Sequence, residues 1–291
     1  MTRTSRSLRR VHPELPSFDL VVATVGRVQE LEQLLTALEF QTHHRFRLIL
    51  VDQNPDDRLD KAVEATSLDV LHLRSQPGLS RARNAGLAHV TADIVAFPDD
   101  DCTYDQDLLA HVDRLLARDP KLDGVSGRSV DGGGRSSPSW KRDTAILTDR
   151  NLWNRAISYT IFLRREIVER VGMFDERLGL GSPEPWSSGE EIDYLIRAVR
   201  SGARIRYDPS LTVRHDGRGH GIGSRDGASI GYLLRKHRYP KRTVARMLIR
   251  PAGGMFVSLA RRDLDHARFQ AATLRGRLRG YRETSSENST E

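Results

Sequence analysis

The sequence predicts an α/β domain with a mixed, mostly parallel central sheet flanked by helices, followed by a helical extension. Three observations carry this. Short apolar runs rich in β-branched residues recur at 18–24, 46–52, 68–73 and 93–97. Segments with helical apolar spacing separate them. Polar residues (Thr24, Asp52 and Asp99–Asp101) close three of these runs, and ligands of such sheets gather at strand ends.

The elements follow in order. FDLVVAT reads as a buried strand. Val28, Leu31, Leu34, Leu35 and Leu38 then recur at helical spacing. FRLILVD is a second strand, stopped at Asp52 by the turn-forming QNPDD. Helical spacing resumes near Leu59, and LDVLHL is a third strand. SQPGLSRARNAGLAHV opens on Pro-Gly and continues as a helix. DIVAF is a fourth strand, ended by Pro98 and three aspartates. The second half is less regular. Residues 105–119 form an amphipathic helix, 122–130 a strand and 131–139 a flexible loop. Residues 156–172 read as strand then helix. The Gly-, Pro- and Ser-rich stretch 179–191 reads as a mobile lid. EIDYLIRAVRSG is a helix closed at Gly202, 203–215 holds one or two strands, and 217–227 is loop. From Ile230 to about Tyr281 the chain reads as helical. The expected organisation is a basic disordered segment at 1–16, a catalytic domain at 17–229, a basic helical extension at 230–281 and a disordered tail at 282–291.

Composition narrows the functional classes. The chain has 291 residues, long enough to bury a core without staples. One cysteine, Cys102, excludes a disulfide framework. No apolar run reaches the length of a membrane span, and the basic start has no apolar segment behind it, so a cytoplasmic protein is expected. The net charge of +7 is unevenly placed. Residues 1–10 hold four arginines and no acid, and residues 235–291 hold 14 basic and 5 acidic residues. Residues 11–234 carry 28 basic against 34 acidic residues, so the body is mildly acidic. A basic end suits an anionic membrane or nucleic acid. Aromatics are only 6% and are not interleaved with the basic residues, which argues against nucleic acid.

Four motifs carry chemistry. Asp99-Asp100-Asp101 places three carboxylates after a buried strand, where they repel unless a cation joins them. In an extended segment Asp99 and Asp101 point the same way and can serve one Mn2+ or Mg2+. A solvated acidic turn is the plain alternative. Ser-Gly-Glu-Glu-Ile-Asp (188–193) opens a helix, where the dipole favours ionised carboxylates. That suits a general base, or mere capping, and Glu190 and Glu191 face different ways. His215 ends a strand and is a metal ligand or a structural histidine. Arg81-Ala-Arg-Asn-Ala-Gly offers an arginine to phosphate, or is an ordinary surface helix. No G-x-G-x-x-G follows the first strand, which argues against a nicotinamide enzyme.

Taken in order, these motifs resemble a family 2 glycosyltransferase of the inverting, GT-A type, over about residues 18–215. The resemblance implies a GT-A nucleotide-diphospho-sugar transferase fold. It places Thr24 and Arg27 near the uracil or ribose of a UDP- or dTDP-linked sugar, with Asp52 accepting from the nucleobase. Arg83 and Asn84 match an A-R-N motif near the nucleotide. Asp99 and Asp100 are set against the nucleotide sugar. Asp101 holds the metal, with Asp99 sharing it and His215 completing the set. Gly189-Glu190-Glu191 matches G-E-D, which makes Glu191 the catalytic base and leaves Glu190 as the alternative. Gly26 stands where the family often has Asn. Trp186 is either an acceptor-binding platform for a sugar ring or a packing anchor.

The implied partners are a nucleotide-diphosphate sugar and a saccharide or lipid-linked acceptor. Peripheral contact with an anionic membrane at its inner face is a further expectation, a dimer is compatible, and no nucleic acid is expected. The competing readings are a nucleotidyltransferase, which would want a Gly-rich basic loop after strand one, a nucleic-acid-binding protein, and a metal-dependent hydrolase using Asp99–Asp101, His215 and His220.

Overall fold

A computed structural model describes residues 16–137, 139–215 and 223–282. The expected disordered ends, His220 and most of the 217–227 loop lie outside them.

The first half alternates as its patterning predicts. Strands β1 (Phe18–Thr24), β2 (Phe46–Asp52), β3 (Val70–Arg74) and β4 (Ile94–Ala96) are joined by helices α1 (Val28–Glu39), α2 (Asp60–Ala65) and α3 (Leu79–Leu87). β1 lies between β2 and β4, β2 pairs with β3, and all of these pairings are parallel. The second half adds β5 (Cys102–Thr103), α4 (Leu108–Arg118), β6 (Gly124–Val130), β7 (Ala145–Ile146), β8 (Ile161–Arg164), α5 (Arg165–Val171), α6 (Glu190–Arg200) and β9 (Ile205–His215). The sheet order is β3-β2-β1-β4-β8-β6-β9-β5, with β7 on β9. β8 is antiparallel to both β4 and β6, whereas β6 and β9 are parallel. Residues 203–215 form one long strand.

Alternation along the strands feeds two cores. Leu20, Val22, Leu48 and Leu50 face α1 and α4, while Val21, Ile49 and Val51 join the core containing α6. A strand buried on both faces reads as a continuous apolar run because each face has its own helix layer.

Three helices close the chain: α7 (Gly223–Lys236), α8 (Lys241–Ala260) and α9 (Leu264–Arg282). The helical region therefore begins at Gly223, and the expected boundary at 229/230 falls inside α7. The loop reading failed at its end because a glycine there serves close packing. A Cβ on Gly227 would lie 2.5 Å from the Thr273 carbonyl oxygen, so only glycine lets α7 approach α9. α7 also joins the sheet-bearing part of the chain: Ser188 and Ser229 hydroxyls pair at 2.8 Å, and Lys236 reaches Asp193 at 2.6 Å.

Candidate active site

The carboxyl ends of β1, β2 and β4 meet, with Thr24 beside Asp52 and Ala23 bridged to Asp99. The acidic triplet lies here, and each member has its own partner. Asp99 Oδ1 accepts from Arg83 and from the Ser158 hydroxyl, both at 3.0 Å. Asp100 is buried and accepts from Arg27 at 2.8 Å; burial pushes its pKa up. Asp101 accepts from Arg27 at 2.5 Å and meets His215 Nε2 at 3.0 Å. Burial pulls the Asp101 pKa up, but His215 and Arg27 outweigh it and hold the carboxyl low. The Asp101 bond in turn raises the His215 pKa against the opposing effect of burial. His215 stacks flat on Tyr159 at 4.7 Å.

Asp99, Asp101 and His215 bring one ligand atom each within 4.8 Å of one another. Two carboxylates and one imidazole are a donor set that suits Mn2+, and Mg2+ less well because of the nitrogen. The residues therefore fit the metal expected of them. Arg27 is the cation that meets Asp101 in the structure. It is about half-exposed, so it can swing aside.

Arg83 ties the site together. It is buried at 1% exposure, donating to Glu190 at 2.8 Å and to Asp99 at 3.0 Å, with its guanidinium over the Phe174 ring. One arginine of α3 thus links the acidic triplet to the start of α6. The same link separates the two glutamates. Glu190 is buried in its ion pair. Glu191 is half-buried, has no ion-pair partner among the described residues, and lines a narrow cleft with Phe97, Ser158, Phe174 and Tyr194. Burial and the neighbouring Glu190 charge push its pKa well above the ordinary carboxylate range.

Several expected contacts are placed differently. Asp52 is fully buried, and its oxygens accept from the Asn54 amide and side chain, His72 and Arg74. A base reaching this strand end meets Asn54, His72 and Arg74 before Asp52. Thr24 is buried as well. Asn84 holds residues 174–176, donating to the Phe174 carbonyl and Glu176 and accepting from the Phe174 N–H. Through these bonds it braces the site wall. Gly26 has φ of +71° and donates its N–H to Asn54 at 2.7 Å, so the turn asks for glycine there. Trp186 corrects the acceptor-platform reading. Its exposure is 3% and its ring stacks on Tyr232 of α7 at 4.4 Å, which makes it the packing anchor. The 179–191 stretch around it is pinned: Leu79 N–H donates to Leu180, and the Ser80 hydroxyl to Leu178.

Sequence reasoning passed over three groups. Ser158 and Tyr159 reach the site from a short turn, Ser158–Thr160, that carries no motif. Asn54, His72 and Arg74 surround Asp52. Asp193, inside the motif already singled out, is buried among Arg197, Lys236 and His237. The last pairing had one visible signal, the i,i+4 spacing of Asp193 and Arg197.

Comparison with known proteins agrees with this geometry. The model of the family described as glycosyl transferase family 2 matches residues 19–174. A pre-mycofactocin glycosyltransferase of Mycobacterium tuberculosis is 30% identical over 232 residues, covering 71% of this chain and 45% of that protein. The chain thus spans less than half the length of this curated relative. Among solved structures, a mannosyltransferase of Pyrobaculum calidifontis, in complex with GDP-Man and Mn2+, superposes with a TM-score of 0.64 at 17% identity, over 91% of this chain and 87% of that one. S. aureus TarS 1-349, in complex with UDP-GlcNAc, gives 0.62 at 16% identity over 89% and 92%. These likenesses establish the GT-A-like α/β fold.

Proposed function

The chain belongs to glycosyl transferase family 2, and from that premise we propose that it is a metal-dependent inverting glycosyltransferase. It moves a sugar from a nucleotide-diphosphate donor, UDP- or dTDP-linked, to a hydroxyl of a saccharide or lipid-linked acceptor in cell-wall, polysaccharide or glycolipid synthesis. The observation that carries this reading is the Arg83 bridge. It brings the acidic triplet and the α6 glutamates into one site and leaves Glu191 beside them with no ion pair among the described residues.

The residues divide the work. Glu191 removes the proton from the acceptor hydroxyl, and its raised pKa makes the ionised carboxylate a stronger base. The acceptor oxygen attacks the anomeric carbon from the face opposite the diphosphate. The bond from that carbon to the diphosphate oxygen breaks, and the nucleoside diphosphate leaves with the electron pair. A single displacement inverts the centre. Asp99, Asp101 and His215 would hold Mn2+ or Mg2+, which neutralises charge on a departing diphosphate. Arg27 stands beside the same carboxylates and can add to that neutralisation. The two solved structures are complexes with GDP-Man and UDP-GlcNAc, whose bases differ, so the fold accommodates more than one base. A nucleotidyltransferase is the weaker reading, because VGRVQE supplies no Gly-rich basic phosphate loop.

Thermal unfolding tests the reading, run with UDP, dTDP, GDP and CDP, each with Mn2+ and with EDTA. One nucleotide at about 100 times its Kd should add about 2.7 kcal/mol, and EDTA should abolish the gain. Glu191→Gln should keep that gain and lose transfer by about 10²–10⁴-fold. No gain with any nucleotide overturns the donor reading, and a fully active Glu191→Gln protein overturns the base.

A further inference from the structure

The segment 140–155 and helix α8 enclose an open groove of about 700 Å³. Arg242, Arg246 and Arg250 line one wall, and Lys141 and Arg150 the other. None of these five forms an ion pair among the described residues, although Asp143 lies near enough to Lys141 to feel its charge. Arg155, at the groove's inner edge, is answered by Asp143 at 2.7 Å. The excess of positive charge reaches inward. Arg277 of α9 donates to the carbonyl of Met247, which lines the groove, and burial together with the neighbouring Arg250 lowers its pKa to about 10.

Five cations around one groove repel one another, and guanidinium forks match phosphate oxygens. The complement of this surface is therefore a phosphate-bearing anion. α8 adds a second feature. Arg242, Ile249 and Phe256 are seven residues apart, two helical turns, so they share one face. Ile249 and Phe256 are 65% and 66% exposed. Beyond the cations the same helix face presents an apolar edge to solvent, the order of a headgroup followed by hydrocarbon. No described helix is long and apolar enough to cross a membrane, so any such contact is made from the surface.

We propose that this groove seats the phosphate headgroup of an anionic lipid, with the Ile249 and Phe256 edge of α8 at the hydrocarbon boundary. The site lies close to the chemistry. Ser158 is three positions along the chain from Arg155, at most about 11 Å, and Ser158 bonds Asp99. The inference rests on the glycosyltransferase reading only for its purpose, which is to meet a lipid-linked acceptor at the membrane surface.

The test is co-sedimentation of the full chain with phosphatidylcholine vesicles, with and without phosphatidylglycerol, at low salt. Binding is expected only with phosphatidylglycerol. R242Q/R246Q/R250Q should weaken it by about 100-fold, since each basic residue near an anionic surface contributes about fivefold. The opposite-wall variant K141Q/R150Q should weaken it about tenfold or more and guards against misfolding of the first. Unchanged binding in both variants overturns the groove, and absence of vesicle binding in the wild-type protein overturns the proposal. Calorimetry with inorganic pyrophosphate separates the sources: binding of pyrophosphate without vesicle binding overturns the lipid in favour of a free phosphate. The nucleotide-induced thermal shift, measured on the same variants, should equal that of wild type. Its absence in wild type would strike the donor reading and leave the vesicle result standing.

Discussion

The acidic site and the basic groove handle charge in opposite ways. In the site every carboxylate of the triplet meets a cation or a hydrogen-bond donor, and Arg83 holds two acids at once. In the groove five cations form no ion pair among the described residues. The answered carboxylates are buried or half-buried and fix geometry. The groove's cations are at the surface and point to something outside the chain. Burial explains the difference: an unpaired charge is too costly inside, whereas at the surface water and salt tolerate it until a ligand arrives.

The sharpest break of this comparison is Arg83→Ala. It leaves Asp99 and Glu190 buried or half-buried without their shared cation. Removing one partner of a buried pair costs about 3–5 kcal/mol, so the urea midpoint should fall by that equivalent with the slope unchanged. Arg83→Lys should recover only part of it, because one ammonium cannot reproduce two forked contacts. A loss below about 1 kcal/mol would show that the site answers its acids by other means.

Those partners explain what was legible beforehand. The strands β1 to β4 were readable because burial on both faces writes a continuous apolar run. The triplet and the Gly-Glu-Glu motif were readable because a strand end and a helix start are local signals. The Arg83 bridge was not, since its partners lie 16 and 107 residues away. The surroundings of Asp52 were hidden for a similar reason: its strand-end position is a local signal, but His72 and Arg74, which meet its oxygens, come from the adjacent strand. Trp186 sat in a stretch rich in Gly, Pro and Ser, and only the fold brings Tyr232 against it. Charge counting along the chain also divided what space joins. The acidic body supplies Lys141 and Arg150, and the basic end supplies the arginines that face them.

Asp193 gives a smaller and titratable version of the answered case. Burial alone would raise its pKa, but His237, Lys236 and Arg197 outweigh burial and hold it at about 2. A carboxyl depressed in the folded state stabilises above its unfolded pKa and loses that contribution as pH falls through the folded value. From the usual 3.8 down to about 2 the shift corresponds to about 2 kcal/mol. Urea stability should therefore decline across that window, and Asp193→Asn should flatten this part of the decline. An identical acid slope in Asp193→Asn would remove the cluster from the account of α6–α7 docking.

The smallest effect belongs to the groove, and its sign is the informative part. Arg242, Arg246 and Arg250 are spaced i,i+4 along α8, and like charges at that spacing cost about 0.2–0.5 kcal/mol per pair. Arg246→Gln removes the middle charge, relieving both pairs at little cost in helix propensity. Stability at low salt should rise by up to about 0.5–1 kcal/mol, or about 1–3 °C in Tm. Added salt should erase the gain, because exposed charges are screened over a Debye length of about 10 Å at 0.1 M. A loss of more than about 1 kcal/mol would mean that Arg246 already has an internal partner. The groove would then be answered from within, as the acidic site is, and its charge would no longer point outward to a ligand.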